Sequence, residues 1–531
     1  MNRQIQVLDC TLRDGGFVND FNFGRKVIRN IFTRLNSAHV DIIEVGYLYD
    51  KQKFDANHTR FWHTDCINEL LGDKKHQSMV VAITDFGNCA LENISNASDT
   101  VLDGIRITFK KSEIDAAMQY AQALKEKGYI VFAQPVSVTT YTDREMLDLI
   151  DKVNELNPYA VSIVDTYGLM HQSRVLHYYE LLNNNLREHI AIGFHSHNNF
   201  QMAYANCIEL IKTSSKRELI LDSSCYGMGK SAGNTCTELL CMYLNDHEDK
   251  AYNISEVLEI IDSYILPIYN KTPWGYCYEH YIAGKAKVHH NYISYLERKQ
   301  TLSAQSEMDI LNEIPTSNKL SYNENLIEEI YLKYQDKQIN DSESYEKLRE
   351  SLAGKKVLLL GPGATIKTHL NEVNAIIEQQ DLFVISVNCA LSGYPIDIAF
   401  IANAKRYNQL FDTLKRKKLP IAATSNIAPL GTNFDYTFNY AKLIDMSAPV
   451  KDISLLMCMK ILMGCDVKEV YLAGFDGFTA AGPNFYTSFL KFSHLSLQPD
   501  ELNDLIGRRL AAYARKMKLQ FITPSQYKKY I

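Results

Sequence analysis

Several features that would place a chain in a specialised class are missing from this sequence. No run of about 18 uncharged apolar residues occurs, so no membrane-spanning helix is expected. The first segment, MNRQIQVLDCTLRDGG, contains no apolar core of a secretory signal, which favours a cytoplasmic protein. The 11 cysteines form no CxxC pair, which argues against a disulfide framework and a structural zinc site. The net charge of −6 provides no basic field for nucleic acid or anionic lipid.

The length and composition are those of a multidomain globular protein. Hydrophobic residues make up 46% and charged residues 22% of the 531 residues, which is enough to bury two or three cores. We predict an α/β chain with a TIM (β/α)8 barrel over 1–275, a helical extension and linker over 276–353, and a Rossmann-like open-sheet domain over 354–531.

The barrel is predicted from a repeated alternation along the first 240 or so residues. Eight short apolar runs are each followed by a longer amphipathic segment, which is the number and order that an eight-stranded parallel barrel requires. Polar and ionisable residues follow the runs, at the end of the barrel where TIM-barrel enzymes carry their active sites. The runs are 4–8, 41–45, 79–84, 104–109, 130–135, 161–164, 190–194 and 219–222.

His195 and His197 follow the seventh run and are candidate metal ligands. Alternate residues of a strand point to the same side, so the two imidazoles could bind one divalent cation. Asp14, after the first run, offers an oxygen ligand at the same end of the barrel. Taken alone, the HxH pair is more often two polar histidines bonded to their neighbours than a pair of metal ligands.

Five motifs occur in order, each at the end of a predicted strand: LDCTLRDGG (8–16), IEVG (43–46), VDTYG (164–168), FHSHNN (194–199) and GMGKSAGNT (227–235). Over residues 4 to about 300 this set resembles the DRE-TIM metallolyase superfamily. That superfamily includes 4-hydroxy-2-oxovalerate aldolase, hydroxymethylglutaryl-CoA lyase, and the isopropylmalate and homocitrate synthases. The resemblance implies a divalent metal, Mn²⁺ or Mg²⁺ with Zn²⁺ or Co²⁺ as further candidates, held by Asp14, His195 and His197.

The same resemblance implies roles for three more residues. Asn234 matches the asparagine that approaches the metal in some members, although it could equally cap the helix that follows. Arg13 matches the arginine that holds the enolate, and Glu44 matches the carboxylate that orients that arginine. These roles are chemically coherent, because a divalent cation and a fixed guanidinium would stabilise the negative charge that develops on an enolate oxygen.

Phe17 departs from the family pattern. The hydroxy-oxovalerate aldolases carry a proton-shuttling histidine at this place, and a benzyl group cannot move protons. Cys225 and Tyr167 are our candidates for the missing acid or base, and Cys225 could also be a small packing residue. Further candidates, each of which could instead pack, are Tyr226, His280, His289 and His290.

These observations predict aldol chemistry on a pyruvate-type 2-oxo acid with an aldehyde or sugar as the second substrate. One alternative is an acyl-CoA-dependent Claisen synthase or lyase. Another is a barrel that binds metal without turnover and serves as a scaffold, which Phe17 would favour. We also consider a homodimer, because such barrels often dimerise.

The C-terminal region begins with a buried run followed by a glycine turn, LLLGPGATI (358–366). Gly361 and Gly363 would let the backbone approach a ligand, and the following helix would favour an anion. The motif has too few glycines for the dinucleotide fingerprint and no P-loop lysine, so a turn without a ligand is also compatible. Asn388 ends the next strand, and Asn403 follows a third.

Residues 354–531 resemble bacterial sialyltransferase-like families and related families of unknown function. The resemblance implies a nucleotide-sugar site with Gly361, Gly363, Asn388 and Asn403 near the nucleotide, and Tyr486 and His494 near the transfer site. Together with the barrel it suggests bacterial surface-glycan, or polysaccharide, biosynthesis.

Overall fold

The computed structural model describes residues 4–72, 76–299, 301–319, 321–430, 434–480, 482–487 and 497–531. The chain folds as two compact units, 1–287 and 288–531. His494, one of the residues named above, lies outside the described residues.

The first unit is a closed parallel barrel, as predicted. All eight apolar runs form strands, and the ring closes because β1 pairs with both β2 and β9. A two-residue strand, β3, pairs with the end of β2. The strands are β1 (Ile5–Asp9), β2 (Ile42–Leu48), β3 (Arg60–Phe61), β4 (Met79–Asp85), β5 (Gly104–Phe109), β6 (Ile130–Pro135), β7 (Ala160–Asp165), β8 (Ala191–Ser196) and β9 (Leu219–Ser223).

Helices cover the outside of the barrel because each presents an apolar stripe to it. In α1 the buried residues Ile28, Ile31, Phe32 and Leu35 recur at helical spacing. The helices of this unit are α1 (Arg25–Ser37), α2 (Asp65–Leu71), α3 (Ile114–Glu126), α4 (Asp143–Leu156), α5 (Gln172–Asn185), α6 (Ala203–Ile211), α7 (Thr237–His247), α8 (Ile254–Ile260), α9 (Leu266–Tyr269) and α10 (Tyr278–Ala286). A π-helical turn, Ile261–Ile265, joins α8 to α9.

The second unit contains a seven-stranded, entirely parallel sheet in the order β14-β13-β12-β11-β10-β15-β16. From β10 to β14 each strand is added on one side of β10, and β15 and β16 are then added on the other side of β10. The strand order therefore reverses between β10 and β15. The strands are β10 (Val357–Leu360), β11 (Phe383–Val387), β12 (Ile398–Ile401), β13 (Ile421–Thr424), β14 (Tyr436–Phe438), β15 (Glu469–Ala473) and β16 (Lys518–Phe521).

The predicted helical extension is divided between the two units. Its first helix, α10, belongs to the barrel unit, whereas the next four belong to the second unit. The helices of the second unit are α11 (His290–Lys299), α12 (Ala304–Asn312), α13 (Glu324–Gln335), α14 (Ser342–Leu352), α15 (Thr365–Thr368), α16 (Leu370–Gln380), α17 (Ala404–Lys417), α18 (Tyr440–Leu443), α19 (Ser454–Gly464) and α20 (Pro499–Ala514). Across the described ranges, every helix is too short or too polar to span a bilayer.

Candidate metal centre

Asp14, His195 and His197 form a buried cluster at the carboxyl end of the barrel strands. Asp14 follows β1, and the two histidines lie at the end of β8 and just beyond it. One potential ligand atom from each residue lies within 4.8 Å of the other two. Two imidazole nitrogens and one carboxylate oxygen at such separations suit a divalent transition-metal ion or Mg²⁺.

Hydrogen bonds fix the orientation of both imidazoles. Nδ1 of His195 lies 2.8 Å from Oδ2 of Asp222, and Nδ1 of His197 lies 3.4 Å from the carbonyl oxygen of Gly233. When Nδ1 is bonded in this way, Nε2 is left as the nitrogen that can bind a metal. Burial lowers the pKa of His197 to about 4, which keeps this ring in the neutral form that a ligand requires.

Asn234 provides a test of whether these residues fit a metal. Its Nδ2 donates to Oδ2 of Asp14 at 2.7 Å, while its buried Oδ1 has no hydrogen-bond partner within the described structure. The lack of a side chain at Gly229 also leaves room beside Asp14, since a Cβ there would lie 2.6 Å from Oδ2 of Asp14. A buried amide oxygen without a partner beside three potential ligands is suited to a cation, so the residues fit the group.

A chain of buried ion pairs adjoins the cluster. Arg13 donates from Nη1 to Asp14 at 2.6 Å and from Nε to Glu44 at 2.5 Å. Arg106 donates from Nη1 to Glu44 at 2.9 Å and from Nη2 to Asp222 at 2.5 Å. Burial by itself would raise the pKa of Asp14, but Arg13 and the two histidines outweigh it and hold that pKa below its usual range. Asp14 is therefore a carboxylate.

One family model and several known proteins resemble the N-terminal part of this chain. The HMGL-like family model matches residues 4–263. A 4-hydroxy-2-oxovalerate aldolase from Marinomonas sp. is 24% identical over 62% of this chain and 97% of its own length. An oxaloacetate decarboxylase from Mycobacterium tuberculosis is 26% identical over 45% of this chain and 69% of its own length. An HMG-CoA lyase structure from Bacillus subtilis, 16% identical, covers 52% of this chain and 95% of its own with a TM-score of 0.41.

Residues 4–263 are an HMGL-like (DRE-TIM) domain. Its curated relatives named here are a 4-hydroxy-2-oxovalerate aldolase and an oxaloacetate decarboxylase.

The candidate acid and base residues lie in different surroundings within the HMGL-like domain. The thiol of Cys225 is fully buried, lies 3.6 Å from Oδ2 of Asp9, and has a pKa raised well above its usual range by that burial. Such a thiol stays protonated, so these contacts do not favour Cys225 as a base. Tyr167 lies in the turn after β7, where burial raises the pKa of its hydroxyl.

The remaining acid and base candidates are divided between the two units of the chain. Tyr226 is 39% exposed and stacks edge-on with Trp274. His280 lies in α10, and its buried Nδ1 has no hydrogen-bond partner among the described residues. His289 and His290 belong to the second unit.

Three residues that matter to the HMGL-like site were not singled out from the sequence: Arg106, Asp222 and Lys230. Arg106 gave a signal, because an arginine in the middle of an otherwise apolar strand must find buried partners. Asp222 gave a similar signal, because it is a carboxylate at the end of the eighth apolar run, just as Glu44 is a carboxylate within the second run. Lys230 lies in the GMGKSAGNT motif, and its backbone N–H donates to Oδ2 of Asp14 at 3.1 Å.

In the second unit, the glycine turn after β10 packs against the turn after β15. The backbone N–H groups of Gly361 and Gly363 donate to the carbonyl oxygens of Ala473 and Gly474, each at 2.7 Å. A Cβ on either glycine would lie 2.5 Å from the carbonyl oxygen of Gly474. This close approach explains the glycines without a ligand.

Asn388 and Asn403 also have structural partners. Oδ1 of Asn388 accepts from the N–H of Ala402 at 2.9 Å, and its Nδ2 donates to Ser454 at 2.5 Å. Oδ1 of Asn403 accepts from the N–H of Arg406 at 2.9 Å and so caps α17.

A cavity of about 210 Å³ nevertheless lies at the carboxyl ends of these strands. It brings together three of the four predicted nucleotide-site residues, Gly363, Asn388 and Asn403. Open parallel sheets bind ligands at this place, where the strand order reverses. Tyr486 lies beside it, with its N–H donating to the carbonyl oxygen of Pro362 at 2.9 Å.

Proposed function

We propose that the HMGL-like domain is a divalent-metal-dependent lyase or aldolase that acts on a pyruvate-type 2-oxo acid through an enolate. The observation that carries the proposal is the buried Asp14–His195–His197 cluster with the Arg13 guanidinium beside it. A bound Mn²⁺ or Mg²⁺ would supply Lewis acidity to the oxygens of the 2-oxo acid.

Arg13 would stabilise the negative charge that develops on the carbonyl oxygen during bond cleavage. Burial by itself would lower the pKa of this guanidinium, but Glu44 and Asp14 outweigh it and hold that pKa above its usual range. Arg13 therefore stays charged, and Glu44 fixes its plane through Nε. A cation that is already oriented costs no reorganisation when the charge appears, which is how such groups accelerate a reaction.

The proton-transfer group must differ from that of the aldolases, because Phe17 stands where they have a histidine. Among the acid and base candidates in the barrel unit, His280 is the one histidine. Burial lowers its pKa, so the ring is neutral near pH 7 and able to accept a proton. We therefore favour His280, Tyr167 or a water molecule over Cys225 in this role.

Exchange of pyruvate methyl protons in D₂O, followed by NMR with the Mg²⁺-loaded full-length chain, tests the proposal. The wild type should exchange the protons, and His195→Ala should lose both exchange and stoichiometric metal. His177→Ala is a matched control, because His177 is a partly exposed histidine of α5 that is bonded to Asp143 at 2.8 Å. Absence of exchange together with turnover of acetyl-CoA and a 2-oxo acid would support the Claisen alternative. Bound metal without either reaction would leave the scaffold role.

We further propose that the cavity of the second unit binds one end of a nucleotide sugar, which would fit a role in surface-glycan biosynthesis. The specific observation is a cavity at the strand-order reversal with Arg406 in its wall, beside Lys299 and Lys451, which are both paired with Glu328. Cationic side chains of this kind bind phosphate groups. Its volume is below the usual range for a complete ligand, so we expect the base or the sugar alone to be enclosed.

Calorimetric titration of the full-length chain with CMP, UDP and GDP sugars tests this second proposal. Binding of one of them, weakened by Arg406→Met, is the expected result. If none binds, the cavity has another use and the nucleotide-sugar proposal is wrong.

A further inference from the structure

Lys230 is placed at the candidate metal centre by its own backbone. Its N–H donates to Oδ2 of Asp14, and the preceding Gly229 lies so close to that carboxylate that a Cβ would collide with it. The loop between β9 and α7 is therefore fixed against a metal ligand, and the lysine side chain starts at the mouth of the site.

The Lys230 ammonium lies over an aromatic ring. Its Nζ is 5.5 Å from the ring centroid of Phe17, the residue that stands in place of the aldolase histidine. The side chain is partly buried. A cation above an aromatic face is attracted to it only modestly, and the ring provides no counter-charge.

Other cations of the mouth have acid partners, and Lys230 differs from them. Arg13 bonds Asp14 and Glu44, and Arg106 bonds Glu44 and Asp222. Within the described parts of the chain, Nζ of Lys230 makes no hydrogen bond and has no carboxylate within 4.0 Å. Partly buried ammonium groups normally have an anionic partner, so the Lys230 side chain is suited to bind an anion.

Asp85, at the end of β4, is the acid outside the cluster whose charge acts on Lys230. It is not bonded to Lys230. Its carboxylate is exposed to water and accepts hydrogen bonds from the hydroxyl groups of Tyr47, at 2.6 Å, and Thr108.

The proposed function already assigns the 2-oxo acid head to the metal cluster and to Arg13. Lys230 is therefore left to meet another anionic group of the substrate.

We infer that Lys230 binds a second anionic group of the substrate, at the end remote from the 2-oxo acid, so that the substrate is a 2-oxo acid with a distal carboxylate or phosphate. The inference rests on the proposed function, because it places the 2-oxo acid head at Asp14, His195 and His197. It makes Lys230 the residue that selects the second half of the molecule, and it distinguishes an acidic tail from the methyl-ended tail of 4-hydroxy-2-oxovalerate.

Equilibrium binding of uncleavable analogues to the Mn²⁺-loaded full-length chain tests the inference without requiring turnover. The probes are 2-oxoglutarate, 2-oxo-4-phosphonobutanoate and 2-oxopentanoate, which share the oxo-acid head and end in a carboxylate, a phosphonate and a methyl group. By calorimetry, the wild type should bind an acidic probe about tenfold more tightly than the neutral one, as expected for one charge-assisted hydrogen bond. The tighter of the two acidic probes identifies the carboxylate or the phosphate as the natural group.

Substitution of Lys230 should remove the preference. In Lys230→Met the affinity ratio of acidic to neutral probe should fall to about one, and Lys230→Arg should retain most of it. Lys110→Met is the matched control, because Lys110 follows β5 at the same end of the barrel but lies 4.0 Å from Glu113. It should leave the ratio at the wild-type value.

Three results would overturn the inference: a wild type that binds all probes equally, a wild type that binds none, or a Lys230→Met variant that keeps the preference. If Lys230→Met does not fold, the ratio in Lys230→Gln decides in the same way. Failure of the proposed function is seen separately, as a lack of pyruvate methyl exchange in the wild type.

Discussion

Asp222 should control metal affinity although it is not a metal ligand. Its Oδ2 accepts from Nδ1 of His195 at 2.8 Å and from Arg106 at 2.5 Å, and the side chain is 1% exposed. Asp222→Asn keeps the shape of the side chain and removes its charge. The imidazole then loses the carboxylate that orients it and raises its basicity. Arg106 keeps Glu44 as its one acid partner, together with a hydrogen bond to Oε1 of Gln134 at 3.2 Å.

The expected loss can be stated from general experience with such groups. Removing the carboxylate behind a metal-binding histidine weakens metal binding by about 10- to 100-fold, or about 1.4 to 2.7 kcal/mol. Leaving Arg106 with one acid instead of two should also lower the stability of the metal-free protein, by about 1.5 to 3 kcal/mol. Titration of free Mn²⁺ by EPR measures the first effect, and urea denaturation in EDTA measures the second.

Asp41→Asn is the matched control, because it changes a similar carboxylate at the opposite end of the barrel. Asp41 immediately precedes β2, and its Oδ2 accepts from the N–H of Val7 at 2.8 Å and from Tyr252 at 2.5 Å. This variant should lose stability but keep the wild-type affinity for Mn²⁺. If Asp222→Asn binds Mn²⁺ as tightly as the wild type, or if both variants lose affinity equally, the reasoning is wrong.

Three further predictions concern other parts of the structure. Burial raises the pKa of Asp165 to about 6, so the buried charge destabilises the fold as the pH rises from about 4 to 6. Between pH 3.5 and pH 7 the free energy of unfolding of Asp165→Asn should therefore rise by about 3 kcal/mol relative to that of the wild type, as measured by urea denaturation in EDTA. Gly363→Ala would force a Cβ to within 2.5 Å of a carbonyl oxygen and should lower stability by about 1 to 3 kcal/mol, as measured by thermal denaturation. Arg13→Lys should slow pyruvate methyl exchange about 100-fold, because an ammonium group cannot bond Glu44 and Asp14 in the same planar geometry.

The barrel could be predicted from the sequence because its information is local. Each strand is a short apolar run between polar turns, and the eight runs give the number of strands and their order. The three metal-ligand candidates were also found, since His195 and His197 are two residues apart and Asp14 lies in a recognisable motif. Their convergence then followed from the rule that parallel strands bring their carboxyl ends to one face.

The partners of these residues could not be predicted in the same way. Arg106 and Asp222 are 116 residues apart, and their ion pair forms because the interior of a closed barrel brings non-adjacent strands together. An apolar pattern shows that a strand is buried but not which side chain from across the barrel meets it. A charged residue within such a pattern is therefore the available signal, and Arg106 would have been found by asking where its charge is neutralised.

The glycine turn of the second unit shows the opposite difficulty, a local signal with two physical explanations. A strand followed by Gly361 and Gly363 suggests a backbone that approaches a phosphate. In the structure the lack of a side chain on these glycines lets the carbonyl oxygen of Gly474 approach closely. The N–H groups of Gly361 and Gly363, which would bind an anion, already donate to backbone carbonyl oxygens. Asp476 takes the remaining position, since its carboxylate accepts from the N–H of Thr365 at 2.8 Å at the start of α15. A carboxylate there repels a phosphate, so an anionic ligand of this cavity would meet a cation at Arg406 rather than at the glycine turn.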